Sequence, residues 1–230
     1  MPTIEVITSI TGGKDTLRED QAIGNAKFIC YTDNPDLKSE VYEMRPAYDK
    51  FKDPRRNSRI HKILAHKYSN ADFIIWHDGN TRLMETPEFI IENFLGDYDM
   101  VMFKHGSRDC IYDEAIEVAK LGLDDPEIII EQAKHYEDAE YGKHKGLASG
   151  FFIVRRNNKK TQAFNEAWWA DYCRYSRRDQ LSCLPNVDKC GIRLRIIDHQ
   201  WQQGNGYATM GGILMMYHHA HFEGNFNEKK

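Results

Sequence analysis

The 230-residue chain has little cysteine, and its few cysteines are not spaced as a framework. Cys30, Cys110, Cys173, Cys183 and Cys190 make an odd number, and no C-x-x-C pair occurs. A zinc ribbon and a dense disulfide scaffold are therefore excluded, and reduced, mostly buried thiols are expected. A Cys183–Cys190 link across a loop stays open. No apolar run approaches the ~20 residues that cross a bilayer, and Met1–Val6 lacks the basic start and apolar core of a secretion signal. The expectation is a soluble, cytoplasmic protein. Excess positive charge is missing too: 31 Lys and Arg against 35 Asp and Glu give a formal charge of −4, which disfavours a strongly basic nucleic-acid binder. There is no G-x-x-x-x-G-K-S/T loop, no G-x-G-x-x-G and no G-x-S-x-G elbow, and Gly12-Gly13-Lys14 does not substitute for the first. Internal repeats and low-complexity tracts are absent.

What is present is ample core material. Hydrophobic residues make up 41% of the chain and aromatic ones 12%, so disorder is excluded as the main state. Short β-branched or apolar runs at 4–10, 26–32, 71–76 and 99–104 predict strands. Between them, 54–68 predicts a helix with Asp53 as cap and Pro54 in the first turn, and Thr86-Pro87-Glu88 starts another that runs to about Leu95. Strands alternating with helices imply an α/β fold with a mostly parallel central sheet flanked by helices. In the second half, helices are expected near 112–121, 126–137 and 161–175, and strands at 150–154 and 192–197. The expected organisation is one domain, with a first half (1–105), a second half (106–222) and a loose tail (223–230).

Ligands of such sheets sit beyond the carboxyl ends of the strands. Two polar tails fall there, Thr32-Asp33-Asn34 and His77-Asp78-Gly79-Asn80. A carboxylate at a strand end beside a glycine suits a hard divalent cation shared with a diphosphate, though Asp78-Gly79 also reads as a plain turn. Asp72 stands at the far end of that strand and is out of reach. Residues 45–67 carry eight Lys and Arg against two Asp. Arg55, Arg59 and Lys62 recur along one helical face, and with Arg56 they would neutralise a pyrophosphate or form a solvated surface. Asp179, after Arg174, Arg177 and Arg178, would hold a substrate hydroxyl, act as a base, or cap the helix at 180–184. His219 and His221 share a face if their segment is a strand, and imidazole binds manganese or zinc. Trp168-Trp169 reads as core.

Taken in order, these stretches resemble a nucleotide-sugar glycosyltransferase of GT-A type. More closely, the chain resembles the glycosyltransferase-like family long catalogued as a domain of unknown function, whose better-known members are plant proteins of cell-wall polysaccharide formation. The matching stretches are Tyr31–Pro35, Arg56–Lys62, Trp76–Asn80, Arg108–Ala115, Gly146-Leu147, Gly150–Arg155, Trp168-Trp169 and Arg178–Ser182. The resemblance implies a GT-A-like fold with a UDP-sugar donor site in the first half and an acceptor site in the second. Asp78 would stand where GT-A enzymes keep the DxD aspartate that holds Mn2+ or Mg2+. Trp76 replaces the first aspartate, so His219 or His221 would supply another ligand. Thr8 and Asp33 would lie near the nucleoside, and Arg56, Arg59, Lys62 and Asn80 around the donor. Asp179 or Glu114 would serve as an inverting enzyme's base. The acceptor would be a glycan, or a hydroxymethylated base in phage DNA, which the basic stretches 45–67 and 155–178 would suit. The alternatives are a sugar nucleotidyltransferase and a non-catalytic carbohydrate-binding protein of the same fold, holding sugar on aromatics such as Trp201.

Overall fold

A computed structural model describes residues 2–198, 202–204 and 207–217. Its main sheet has seven strands in the order β3-β2-β1-β4-β7-β6-β8. They are β1 (Ile4–Ile10), β2 (Lys27–Thr32), β3 (Glu43–Pro46), β4 (Phe73–His77), β6 (Met100–Lys104), β7 (Ala148–Arg156) and β8 (Leu194–Ile197). β1 pairs in parallel with β2 and β4, β2 with β3, and β6 with β8, while β7 runs antiparallel between β4 and β6. The second half of the chain thus inserts β7 between two strands of the first. A smaller antiparallel sheet joins β5 (Thr81–Leu83) to β11 (Leu214–Tyr217), β10 (Tyr207–Met210) and β9 (Gln202–Gly204). The fold is α/β with a mostly parallel sheet flanked by six helices, in accord with a GT-A-like architecture.

Consecutive residues of the central strands feed opposite cores. Ile7, Ile29, Ile74, Met102 and Ile153 face one side, with α1 (Pro54–Ile63), α5 (Lys159–Arg174) and α6 (Asp179–Lys189) packed on it. Val6, Phe28, Ile75, Val101 and Val154 face the other, under α2 (Pro87–Ile90) and the small sheet. Covering both faces is why these strands read as continuous apolar runs rather than alternating ones. The acidic stretch forms α3 (Ile111–Lys120) and α4 (Pro126–Asp138), which pack on each other through their own small cluster.

Several boundaries differ from the sequence reading. The helix expected to reach Tyr68 ends at Ile63, followed by a 3-10 turn at Ala65–Lys67. Arg155, wholly buried, caps it by donating to the Lys62 and Ile63 carbonyls at 2.7 and 3.3 Å, so the last turn's carbonyls are satisfied without further helix. Asp53 is the N-cap, accepting from the Arg55 amide at 2.9 Å. The helix near Asp179 is longer than expected and Arg178 stands at its cap, so Asp179 is a first-turn residue rather than the cap. β3, β5 and β9–β11 were not foreseen; they are three or four residues long, too short for a periodicity. Cys183 and Cys190 are both free, with Cys183 Sγ 3.7 Å from Met102 Sδ in the core. Trp168 is core, 1% exposed. Among the described residues no helix is long and apolar enough to cross a membrane. His219, His221, Trp201 and the tail from Glu223 lie outside the described residues.

Candidate active site

A cavity of about 590 Å³ opens at the carboxyl edge of the main sheet. Arg59, Lys62, Asp78, His105, Gly106, Ser107, Ser149, Gly150, Phe151, Arg178, Asp179, Gln180 and Met216 line it. The parallel strands deliver Asp78 after β4 and His105 after β6, the place where such sheets hold ligands. The fourth-neighbour and third-neighbour spacing of α1 puts Arg55, Arg59 and Lys62 on one stripe. Two of the three line the cavity; Arg55 Nη1 is buried without a hydrogen-bond partner.

The centre of the site is a buried ion pair. Lys62 Nζ donates to Asp179 Oδ2, and Arg59 Nε lies 3.7 Å from the same oxygen. Lys62 is 1% exposed and Asp179 7%. Burial opposes the Asp179 charge, but Lys62, Arg59 and Arg178 outweigh it and hold the carboxyl well below its usual range. Burial pushes the Lys62 ammonium below its usual value, and Asp179 supports its charge in turn. The backbone makes room for this pair. A Cβ on Gly150 would stand 2.5 Å from Lys62 Nζ and 3.1 Å from Asp179 Oδ2. The β6–β7 register slips here: Met102 faces Ile153, but Phe103 faces Ser149. The extra residues Gly150–Phe152 form an irregularity at the cavity, the usual use of a bulge beside a site.

Asp78 is held by β4, the strand it follows, and by β7. The Trp76 indole N–H donates to Asp78 Oδ1 at 3.1 Å, and the Asp78 amide donates to the Phe151 carbonyl at 2.9 Å. His77, fully buried, bonds the Asp78 carbonyl through Nδ1 (2.9 Å) and the Tyr42 hydroxyl through Nε2 (3.1 Å). A carbonyl only accepts, so Nδ1 carries the proton and Nε2 accepts. Burial pushes this imidazole down to about 4.

Behind the cavity wall stands Glu114, 1% exposed. Its Oε2 is 2.5 Å from Arg108 Nε and 3.9 Å from His105 Nε2, and its Oε1 is 3.9 Å from Arg178. Glu114 does not line the cavity; it holds residues that do.

The structure thus brings together four of the residues read from the sequence, Arg59, Lys62, Asp78 and Asp179. The others are elsewhere. Arg56 turns to α5, donating to the Cys173 carbonyl at 3.5 Å, because it is one helix position off the cationic stripe. Thr8 is fully buried inside β1. Asp33 is exposed and accepts the Gly12 amide at 2.8 Å, tying the loops after β1 and β2 together. Asn80 is buried and donates to the Tyr217 carbonyl at 2.7 Å, docking the small sheet. The sequence reading missed His105, Ser107, Ser149, Gly150 and Gln180. Gly150, a glycine at the head of an apolar strand, was the one visible signal of close approach.

The comparisons with known proteins fall on this same region. The sequence model of the TOD1/MUCI70 glycosyltransferase-like domain matches residues 46–199, two thirds of the chain and every cavity residue but Met216. The chain belongs to the TOD1/MUCI70 glycosyltransferase-like family. A curated relative from Arabidopsis thaliana, "Probable hexosyltransferase MUCI70", is 27% identical over 154 residues, 62% of this chain. The chain spans only 26% of that relative's length. A solved structure, A197 from STIV, aligns over 96% of both chains with a TM-score of 0.44 and 10% identity, too distant a likeness to bear on function. Of the residues read from the sequence, Thr8 and Asp33 fall outside the matched segment.

Proposed function

We propose that the protein transfers a hexosyl group from a UDP-sugar to a hydroxyl of a glycan. The observation that carries this reading is the cluster of Arg59, Lys62 and Arg178 around one cavity that also holds Asp78. In the reaction an acceptor hydroxyl oxygen forms a bond to the anomeric carbon, the carbon–oxygen bond to the diphosphate breaks, and the hydroxyl proton passes to the departing diphosphate. The electron pair leaves with the diphosphate, and fixed cations stabilise it there at no cost of reorganisation. Arg59 and Arg178 are suited to that task because a guanidinium meets phosphate with two donors at once.

The acidic groups take other parts. A carboxylate held as far down as Asp179 is a poor proton acceptor. We assign Asp179 to fixing Lys62 and Arg59 and to receiving a sugar hydroxyl, and Glu114 to positioning Arg178 and His105. Asp78 fits a Mn2+ or Mg2+ ion that is bound mainly by the donor diphosphate, since such ions need only one or two protein carboxylates beside the phosphates. Such an ion would neutralise the leaving diphosphate as a Lewis acid. A cage made by the protein alone does not fit, because Trp76, in the place of a second aspartate, is a core residue.

Thermal unfolding with UDP and GDP, each with and without Mn2+, tests the reading. A ligand of the folded state raises the melting temperature by mass action. UDP with Mn2+ should stabilise the native protein and not the Asp78→Asn variant. No response to any nucleoside diphosphate at millimolar concentration would leave a carbohydrate-binding module as the better account. Uptake of a nucleoside triphosphate with a sugar phosphate would favour the nucleotidyltransferase. A glycan acceptor is preferred over DNA because several cations of the basic stretches are already engaged by the protein itself. Lys62 and Arg155 are buried, Arg45 pairs with Glu43, Lys160 with Asp99, and Arg177 with Asp53. Acceptor affinity that falls steeply with salt would reverse that preference.

A further inference from the structure

We propose that Cys110, Asp113 and His144 form a zinc site, separate from the cavity. One ligand atom from each of the three lies within 4.8 Å of the others. The donors come from two segments distant in sequence: Cys110 stands at the cap of α3, Asp113 lies in its first turn, and His144 comes from the loop between α4 and β7. The set is a thiolate, an imidazole and a carboxylate. That mixture selects zinc over magnesium or manganese, which prefer oxygen throughout. Three protein ligands also leave one tetrahedral position for water. Tetrahedral zinc needs its donors about 3.5 Å apart, so small side-chain rotations close the triangle.

Cys110 is 1% exposed, yet its side chain makes no capping hydrogen bond to the helix it begins. Asp113 and His144, both exposed, stand beside this buried thiol. Asp109 holds the His144 ring through Nδ1 at 2.9 Å, the carboxylate–imidazole pairing that commonly orients a ligating histidine.

The ion would act as a clamp on one wall of the cavity. The backbone already joins the same two segments there, with the Gly146 amide donating to the Asp109 carbonyl and the His105 amide to the Leu147 carbonyl, both at 2.8 Å. His105–Ser107 and Ser149-Gly150, which line the cavity, continue directly from these segments. Zinc therefore stiffens the wall without touching a substrate, and the site does not depend on the donor reading above.

Titration of the full chain with Co2+, a spectroscopic stand-in for zinc, tests this. One equivalent should produce a thiolate-to-cobalt charge-transfer band in the near ultraviolet, and Zn2+ should displace it. Cys110→Ser should abolish the band, and Cys173→Ser, which removes the exposed thiol, should leave it intact. Because a change at buried Cys110 could impair folding, His144→Gln and Asp113→Asn at exposed positions serve as second variants. Each should weaken Co2+ binding at least tenfold while the melting temperature without metal stays as in the native protein. Absence of the band in the native chain, its persistence in Cys110→Ser, or unchanged affinity in both exposed variants would overturn the proposal.

Discussion

Lys62 and Asp179 form an ion pair almost wholly removed from solvent, and it ties α1 to the first turn of α6. Such a pair is worth little against a well-packed apolar replacement, but removing one partner strands a buried charge at a cost of ~3–5 kcal/mol. Lys62→Met should fall at the low end, near ~3 kcal/mol, because Arg59 still stands 3.7 Å from Asp179. Asp179→Leu should cost more, leaving Lys62 and Arg59 facing each other. The double variant should lie well below the sum of the singles in urea unfolding, and additive losses would show that the pair is not coupled. Asp179 also sets an acid limit. Its carboxyl is held low in the folded state, so its contribution is complete above the ordinary carboxylate range and is lost as the pH falls below about 4.

Gly150→Ala probes the same pair without removing a charge. The new methyl would stand 2.5 Å from Lys62 Nζ and 3.2 Å from Lys62 Cε. The lysine must move, and it is enclosed. Overpacking of this kind costs ~1–3 kcal/mol. Nucleoside-diphosphate binding should weaken at least tenfold, because the displaced ammonium unseats Arg59 and Asp179 together. Calorimetric titration of UDP into both proteins is the measurement. Native affinity in the variant would show that the close approach has no bearing on the site.

Sequence patterns made the first half of the sheet legible and left the second half less so. β1, β2, β4 and β6 are buried on both faces, and such strands announce themselves as apolar runs. The cationic stripe of α1 was readable because a helix repeats every 3.6 residues, and Asp78 because strand ends hold ligands. Arg56 went astray by a single position, which on a helix is a turn of about 100°. Asn80 and Asp33 look like ligand residues, but both serve backbone groups; only tertiary structure decides between those uses. His105 and Ser149 carry no local pattern, and they reach the cavity because β6 and β7 pair across more than 40 residues of chain.

His77 and His61 predict a loss of stability on mild acidification. Both imidazoles are buried and neutral. His61 Nε2 accepts the Tyr48 amide at 3.0 Å and is pushed down to about 3 by burial, as His77 is to about 4. The unfolded chain binds protons near pH 6.5 while the folded chain does not, so stability is full above that pH and declines as it falls toward 4. His77 alone should contribute ~3 kcal/mol of this decline. Urea midpoints at pH 7 and pH 4.5 should show a steep fall in the native protein. His77→Gln should remove about half of the slope and leave the part due to His61; an unchanged slope would mean that His77 is already protonated in the fold.

Glu114 separates a positioning role from a catalytic one. Its carboxylate holds Arg108, His105 and Arg178 from behind the wall. Glu114→Gln keeps the shape and removes the charge. Charge-assisted hydrogen bonds are worth ~1.5–3 kcal/mol, so the variant should lose ~2 kcal/mol of stability, less than a wholly buried pair would because Arg108 and Arg178 are partly solvated. Transfer should slow about tenfold through disordered Arg178 and His105. The decisive reading is the pH profile of kcat/KM. A general base gives the profile its acid limb, and removing the base abolishes that limb. A residue acting through its neighbours lowers the whole curve and keeps its shape, which is the outcome expected for Glu114→Gln.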